Sequence, residues 1–253
     1  MNKKLIPAVL FALVAFTSCD NSATNANQGI APTPNSTVST EASAATTGPA
    51  KAVSFNITGG INPETWKGGE TASITFDEFP QNVESFKLTQ ETLGKTPEGA
   101  VLLELMAFEI CCHDKAAGLE CLQLANVANN VDCVNRILKD RYDPKYGDYY
   151  TPQLVASYLE GATPENAYKA NKPFKINIRS HAAKKYEDSN SLKGTVLYLE
   201  VCSQGYDTNW RGISVVKQKG SPYYKVENNP STYTQCKPVS FKIDDEYTDI
   251  CKQ

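Results

Sequence analysis

Histidine is nearly missing from this chain: His113 and His181 are the two in 253 residues. A Ser-His-Asp triad or a zinc-binding H-E-x-x-H helix needs histidine at defined positions. Neither that pair nor a G-x-S-x-G elbow occurs. His181 sits in Arg179-Ser-His-Ala-Ala-Lys184, where a predicted strand runs into a polar turn, and reads as a solvated loop residue. Basic clusters are equally scarce. Past Lys3-Lys4 the longest is Lys184-Lys185. Phosphate backbones call for a clustered positive surface, so nucleic acid is excluded as a partner. Long apolar runs are scarce too. Leu5 to Phe16 gives 12 residues, short of the ~20 that span a bilayer, and no later run comes near it. Aromatic residues are absent between Phe16 and Phe55, which excludes a packed core there.

The N-terminus is the most informative stretch. Lys3 and Lys4 precede the apolar run, and small residues follow it, as in an export signal. Phe16-Thr17-Ser18-Cys19 resembles the lipobox of bacterial lipoproteins. That resemblance implies cleavage before Cys19, acylation of Cys19 and a membrane-anchored protein of the bacterial cell envelope, periplasmic or surface-exposed. Losing 1–18 would remove Lys3 and Lys4 and take the formal charge from −3 to −5. Residues 19–52 are polar and small, and are expected to form a flexible tether spanning ~30 Å. The remainder, 53–253, is of single-domain size.

Within that domain, Val53-Ser-Phe-Asn-Ile57 and Ala72-Ser-Ile-Thr-Phe76 alternate apolar and polar, the period of half-buried strands. The middle, 96–168, is predicted to hold about four helices, over 97–112, 116–129, 132–141 and 152–159. Thr96-Pro97, Thr151-Pro152 and Thr163-Pro164 each put a capping threonine before a proline suited to a first helical turn. The first of these helices is apolar nearly all round, so it should be the central buried one. Strands return at 174–178, 195–201, 213–216, 223–226 and 239–243. Strands, then helices, then strands imply an α+β fold, with the helical middle packed on a mostly antiparallel sheet built from both ends of the domain.

Several blocks of the middle resemble an uncharacterised bacterial domain family: Thr96-Pro-Glu-Gly-Ala100, Asp140-Arg-Tyr142, Leu154-Val-Ala-Ser-Tyr158, Gly161-Ala-Thr-Pro-Glu-Asn-Ala-Tyr168 and Pro173-Phe174. The resemblance covers roughly 96–210 and implies one domain there. Ala167 stands where glycine is expected, and the cysteine cluster departs from the pattern. No activity, cofactor or catalytic residue comes with it.

Seven cysteines follow Cys19. An exported domain tolerates disulfides. A bridge from Cys111 or Cys112 to Cys121 or Cys133 would staple helix ends, buried free thiols being the plain alternative. Cys236–Cys251 is a further candidate pair. The spacing of Cys111, Cys112, His113, Cys121 and Cys133 does not follow the short loops of zinc sites, and no metal is expected. Tyrosine is the better functional lead. Six of 13 fall in 27 residues: Tyr142, Tyr146, Tyr149, Tyr150, Tyr158 and Tyr168. A flat apolar face with a hydroxyl suits sugars and protein surfaces. Tyr142, Tyr146, Tyr149, Tyr150 and Tyr168 are therefore candidate contacts to a glycan or protein partner, with packing of the 142–150 loop onto the helices as the alternative. Without a nucleophile–base signature, non-catalytic binding or an accessory part in an envelope assembly is the expected role. The alternatives are a hydrolase of envelope or extracellular polymers and a purely structural partner protein.

Overall fold

A computed structural model of the chain describes residues 49–187 and 194–240. Cys19 and Cys251 lie outside the described residues. Two strands open the domain, β1 (Phe55–Gly59) and β2 (Thr71–Phe76). In β2 the alternation is literal: Ala72, Ile74 and Phe76 are buried, and Thr71 is exposed. The chain then leaves the sheet for four helices: α1 (Val83–Leu93), α2 (Pro97–His113), α3 (Lys115–Ala125) and α4 (Ala128–Arg141). It returns as β3 (Phe174–Glu187), β4 (Thr195–Cys202), β5 (Trp210–Lys217) and β6 (Tyr224–Asn228). All neighbouring pairs are antiparallel, and the order across the sheet is the order along the chain. The α+β expectation therefore holds. The helices form a single excursion between adjacent strands β2 and β3.

α2 is the central helix, as its composition predicts. Val101, Leu102, Leu103, Leu105, Met106 and Phe108 are all at most 1% exposed, and the helix packs against α1, α3 and the sheet. Thr96 caps it, accepting the Gly99 N–H at 3.1 Å, and Pro97 occupies the first turn. Gly99 is required by packing: a Cβ there would lie 1.8 Å from the Leu93 carbonyl oxygen at the end of α1.

Four local points differ from expectation. α1 lies before the predicted helical region. Its sequence is largely polar and it buries few large apolar groups, chiefly Phe86 and Leu93, so its apolar periodicity is weak. The helix expected at 152–159 is a turn followed by a short 3-10 segment, Ala156–Tyr158. The helix expected over 116–129 ends at Ala125. There the chain leaves the helix to join the sheet edge: Asn126 bridges Val226, and the Val127 N–H donates to the Val226 carbonyl at 2.9 Å. The strand expected at 239–243 is not formed by Val239 and Ser240, and its remainder lies outside the described residues.

The expected disulfides within the cysteine cluster do not form. Cys111, Cys121, Cys133 and Cys236 are all free thiols, which also removes the Cys236–Cys251 pairing. Cys111 and Cys121 act as small apolar groups in the core. Cys111 lies over Gly118 where α2 meets α3. Burial pushes both thiols up to about 12. Cys133 faces elsewhere, 3.7 Å from the Tyr233 hydroxyl. Cys112 is partly buried against the same core.

The core also holds a closed polar ring. Glu104 of α2 is fully buried. It accepts hydrogen bonds from the side-chain amides of Asn126 and Asn229. The Asn130 amide donates to the side-chain carbonyls of both, each at 2.8 Å. With Glu104 ionised, each bond around the ring pairs a donor with an acceptor, the condition for burying polar atoms without a large penalty. The ring joins α2, the α3–α4 connection, α4 and the segment after β6.

Candidate functional site

The six tyrosines of 142–168 divide into two sets. Tyr142, Tyr158 and Tyr168 are buried, at 6%, 2% and 3% exposure. Tyr158 donates its hydroxyl to the Thr232 carbonyl and Tyr168 to the Lys237 carbonyl, both at 2.7 Å. Tyr158 and Tyr168 are thus pillars that hold the segment after β6 in place, while the Tyr142 hydroxyl has no partner among the described residues. Burial raises all three phenol pKa values well above the ordinary range. Two of the expected contact residues, Tyr142 and Tyr168, thus point into the core. The short peptide before and after each ring carries no signal that tells a pillar from a contact.

Tyr146, Tyr149 and Tyr150 occupy a 3-10 segment, Pro144–Tyr149, and its C-terminal flank. Asp143 opens it by accepting the Lys145 N–H at 3.2 Å, and Gly147 reverses the chain at φ 55°. The base is pinned on both sides. The Thr151 N–H donates to the Arg141 carbonyl at 2.7 Å, and the Gln235 side-chain amide donates to the Asp148 carbonyl. Tyr149 is 60% exposed, the most exposed large apolar side chain among the described residues. Tyr146 and Tyr150 are partly exposed beside it. Cations border the rings: the Lys145 ammonium lies 4.8 Å from the Tyr146 centroid, and the Arg141 guanidinium 5.8 Å from that of Tyr149. Lys145 is held by Asp143 at 2.7 Å, which lowers the Asp143 pKa. The result is a raised, tied-down loop presenting ring faces, hydroxyls and two cations, with few degrees of freedom to lose on contact. Among the described residues no group of three or more metal-ligating side chains converges.

A second polar-aromatic cluster, on the sheet face turned away from α2, was not anticipated. Arg179 of β3 pairs with Glu200 of β4 at 2.6 Å and lies 4.2 Å over the Trp210 ring. Tyr198 lies across Gly212, where a Cβ would meet its hydroxyl at 2.2 Å. His181 is not a solvated loop residue. It belongs to β3, its ring meets Tyr198 edge-on at 4.8 Å, and its Nδ1 is buried. β3 runs past the point where a turn is predicted because an irregularity between Ser180 and Lys185 absorbs extra residues and lets pairing with β4 resume. The separate strands are legible in the sequence. That Arg179 faces Glu200 is a matter of register.

The block 161–168 also has a local explanation. Thr163 and Asn166 form a reciprocal capping box around Pro164–Asn166. Ala167 then takes φ 57°, a left-handed conformation that favours glycine.

No curated protein and no solved structure matches the chain. A family model described as Domain of unknown function (DUF6935) matches residues 78–240, from just before α1 to the segment that Tyr158 and Tyr168 fasten down. That match takes in well over half of the chain and all the helices and returning strands described above, and the chain belongs to this family.

Proposed function

We propose that this is a lipid-anchored protein of the bacterial cell envelope whose domain binds a glycan or protein surface without catalysis. The anchor is acylated Cys19, and the tether 19–52 carries the domain away from the membrane. The observation that carries the binding reading is the exposed, pinned loop with Tyr146, Tyr149 and Tyr150 on it. Tyrosine is over-represented among contact residues that dominate binding energy, because a large rigid ring loses little entropy on contact. Tyr149→Ala or Tyr150→Ala should weaken partner binding tenfold or more. At an exposed site the Tyr149 change should alter folding stability by less than ~0.5 kcal/mol. Thermal denaturation of the variants, followed by glycan-array and cross-linking experiments on the full chain, tests this. A loss of stability of ~3 kcal/mol or more in both would make the rings core packing and end the proposal. A product that accumulates with time from a polysaccharide or peptide panel, and disappears on changing one acid, would make the protein a hydrolase.

Palmitate incorporation that survives Cys19→Ala at the wild-type level would remove the anchor. Cys111, Cys121, Cys133, Cys202 and Cys236 are free. Non-reducing peptide mapping that recovers a bridge to any of these five would overturn that finding.

A further inference from the structure

The loop between β1 and β2, the start of α2 and the first residue of β6 line an open surface pocket of about 520 Å³. Ile61, Pro63, Pro97 and Tyr224 give it apolar walls, and Glu98 and Lys95 are its charged lining residues. Glu98 is 4% exposed, and its Oε2 has no hydrogen-bond partner among the described residues. A buried, unpaired carboxylate oxygen carries a desolvation penalty that nothing offsets. Retaining one at the lining of a pocket calls for a ligand that supplies the missing donor.

The chemistry of that ligand follows from what surrounds the carboxylate. An anion finds no free backbone donor, although the pocket lies at a helix N-terminus and Lys95 lines it. Pro97 has no N–H. The Glu98 N–H is taken by its own side chain. Gly99 donates to the Thr96 hydroxyl at 3.1 Å and Ala100 to the Thr96 carbonyl at 3.2 Å. The first turn therefore has no donor left for an anion. A hard metal ion is a poor fit, since it takes six or more oxygen ligands and no group of three metal-ligating side chains forms among the described residues. Nor is Glu98 already paired with a cation. Burial is the largest influence on its pKa, raising it, and no basic side chain acts on it. Glu64 and Glu98 both lie close enough to Tyr224 to raise the pKa of its phenol, after burial. Two carboxylates thus act on one aromatic wall that is able to face a cation, with Lys95 as the cation in the lining.

The geometry points to a binding site for a primary ammonium group on a short aliphatic stem, with Glu98 Oε2 as the acceptor and Ile61, Pro63, Pro97 and Tyr224 around the stem. Such a group supplies three donors and a positive charge at one end and an apolar body behind it. It satisfies the orphan oxygen and the walls together. A neutral alcohol satisfies the oxygen without the charge. The site is independent of the tyrosine loop.

The test is calorimetric titration of the full chain with n-butylammonium, with n-butanol and butyrate as matched controls. Saturable binding of the ammonium alone is expected. Glu98→Gln keeps the shape and removes the charge, and should weaken that binding tenfold or more. Lys95→Gln removes the competing cation at the rim and should tighten it severalfold. Nα-acetyl-lysinamide separates two sources of the same group. It binds at least as well as n-butylammonium if the pocket receives a peptide lysine, and more weakly if it receives a free amine. The inference is overturned if butanol binds as well as the ammonium, if Glu98→Gln binds with unchanged affinity, or if no saturation occurs and the pocket holds water alone.

Discussion

Glu98 and Glu104 are carboxylates on one helix, and both are almost fully buried, yet they are opposites. Glu104 sits in mid-helix within a ring of three asparagines that meets both of its oxygens. Glu98 sits in the first turn with one oxygen paired to its own backbone and the other to nothing among the described residues. The difference separates two reasons for burying a charge-capable group. A closed network ties elements together and contributes to a unique packing. If the pocket takes an ammonium group, the open valence of Glu98 is kept for that ligand. The tyrosines repeat the division: Tyr158 and Tyr168 spend their hydroxyls on backbone carbonyls, while Tyr149 stands in solvent.

The sharpest way to break this comparison is at Glu104. Glu104→Ala leaves the Asn126 and Asn229 amides unpaired and opens a cavity in the core, and should cost about 3–5 kcal/mol in chemical denaturation. If the loss is below ~1 kcal/mol, the ring is not the structural element described. The same residue gives a pH signature. Burial pushes the Glu104 carboxyl from its ordinary value of 4.5 up to about 8. A folded pKa above the unfolded one means that this group favours the fold fully below the unfolded value. That contribution is lost as pH rises toward and through about 8, at up to ~1.4 kcal/mol per pH unit. Glu104→Gln should flatten this part of the stability–pH curve. It should also cost ~1–3 kcal/mol, because its amide sets a donor against a donor unless an asparagine turns over.

The start of α2 comes next. Gly99→Ala places a methyl group against the Leu93 carbonyl, a contact that demands backbone movement. A loss of ~1–3 kcal/mol is expected, as for other overpacked sites, and equal stability of the variant would show that the α1–α2 turn yields easily. The smallest effect is expected at Glu98. Glu98→Gln removes a desolvated charge that nothing compensates, so stability should change by less than ~1 kcal/mol, and toward greater stability near neutral pH. A large destabilisation would mean that Glu98 is bound into the fold as Glu104 is, and the contrast would dissolve.

Much of the fold was legible because it is local. Alternation in Ala72–Phe76 marks a strand wherever its partner lies, and the run from Ala100 to Ile110 is buried because no polar face exists on it. Thr96-Pro97 announces a helix start from its own hydrogen-bonding needs. α1 escaped because so few of its residues carry an apolar signal, and the early end of α3 escaped because β6 captures Asn126 from a hundred residues away. The chain's own composition settles the scarcity of histidine, the short N-terminal apolar run, the central helix and the order of strand, helix and strand. Tertiary structure alone decided which carboxylate is satisfied and which tyrosines are exposed. Asn229 lies 125 residues from Glu104 and Tyr224 a similar distance from Glu98. Whether a buried polar group finds a partner depends on where such distant segments meet, which no local pattern encodes.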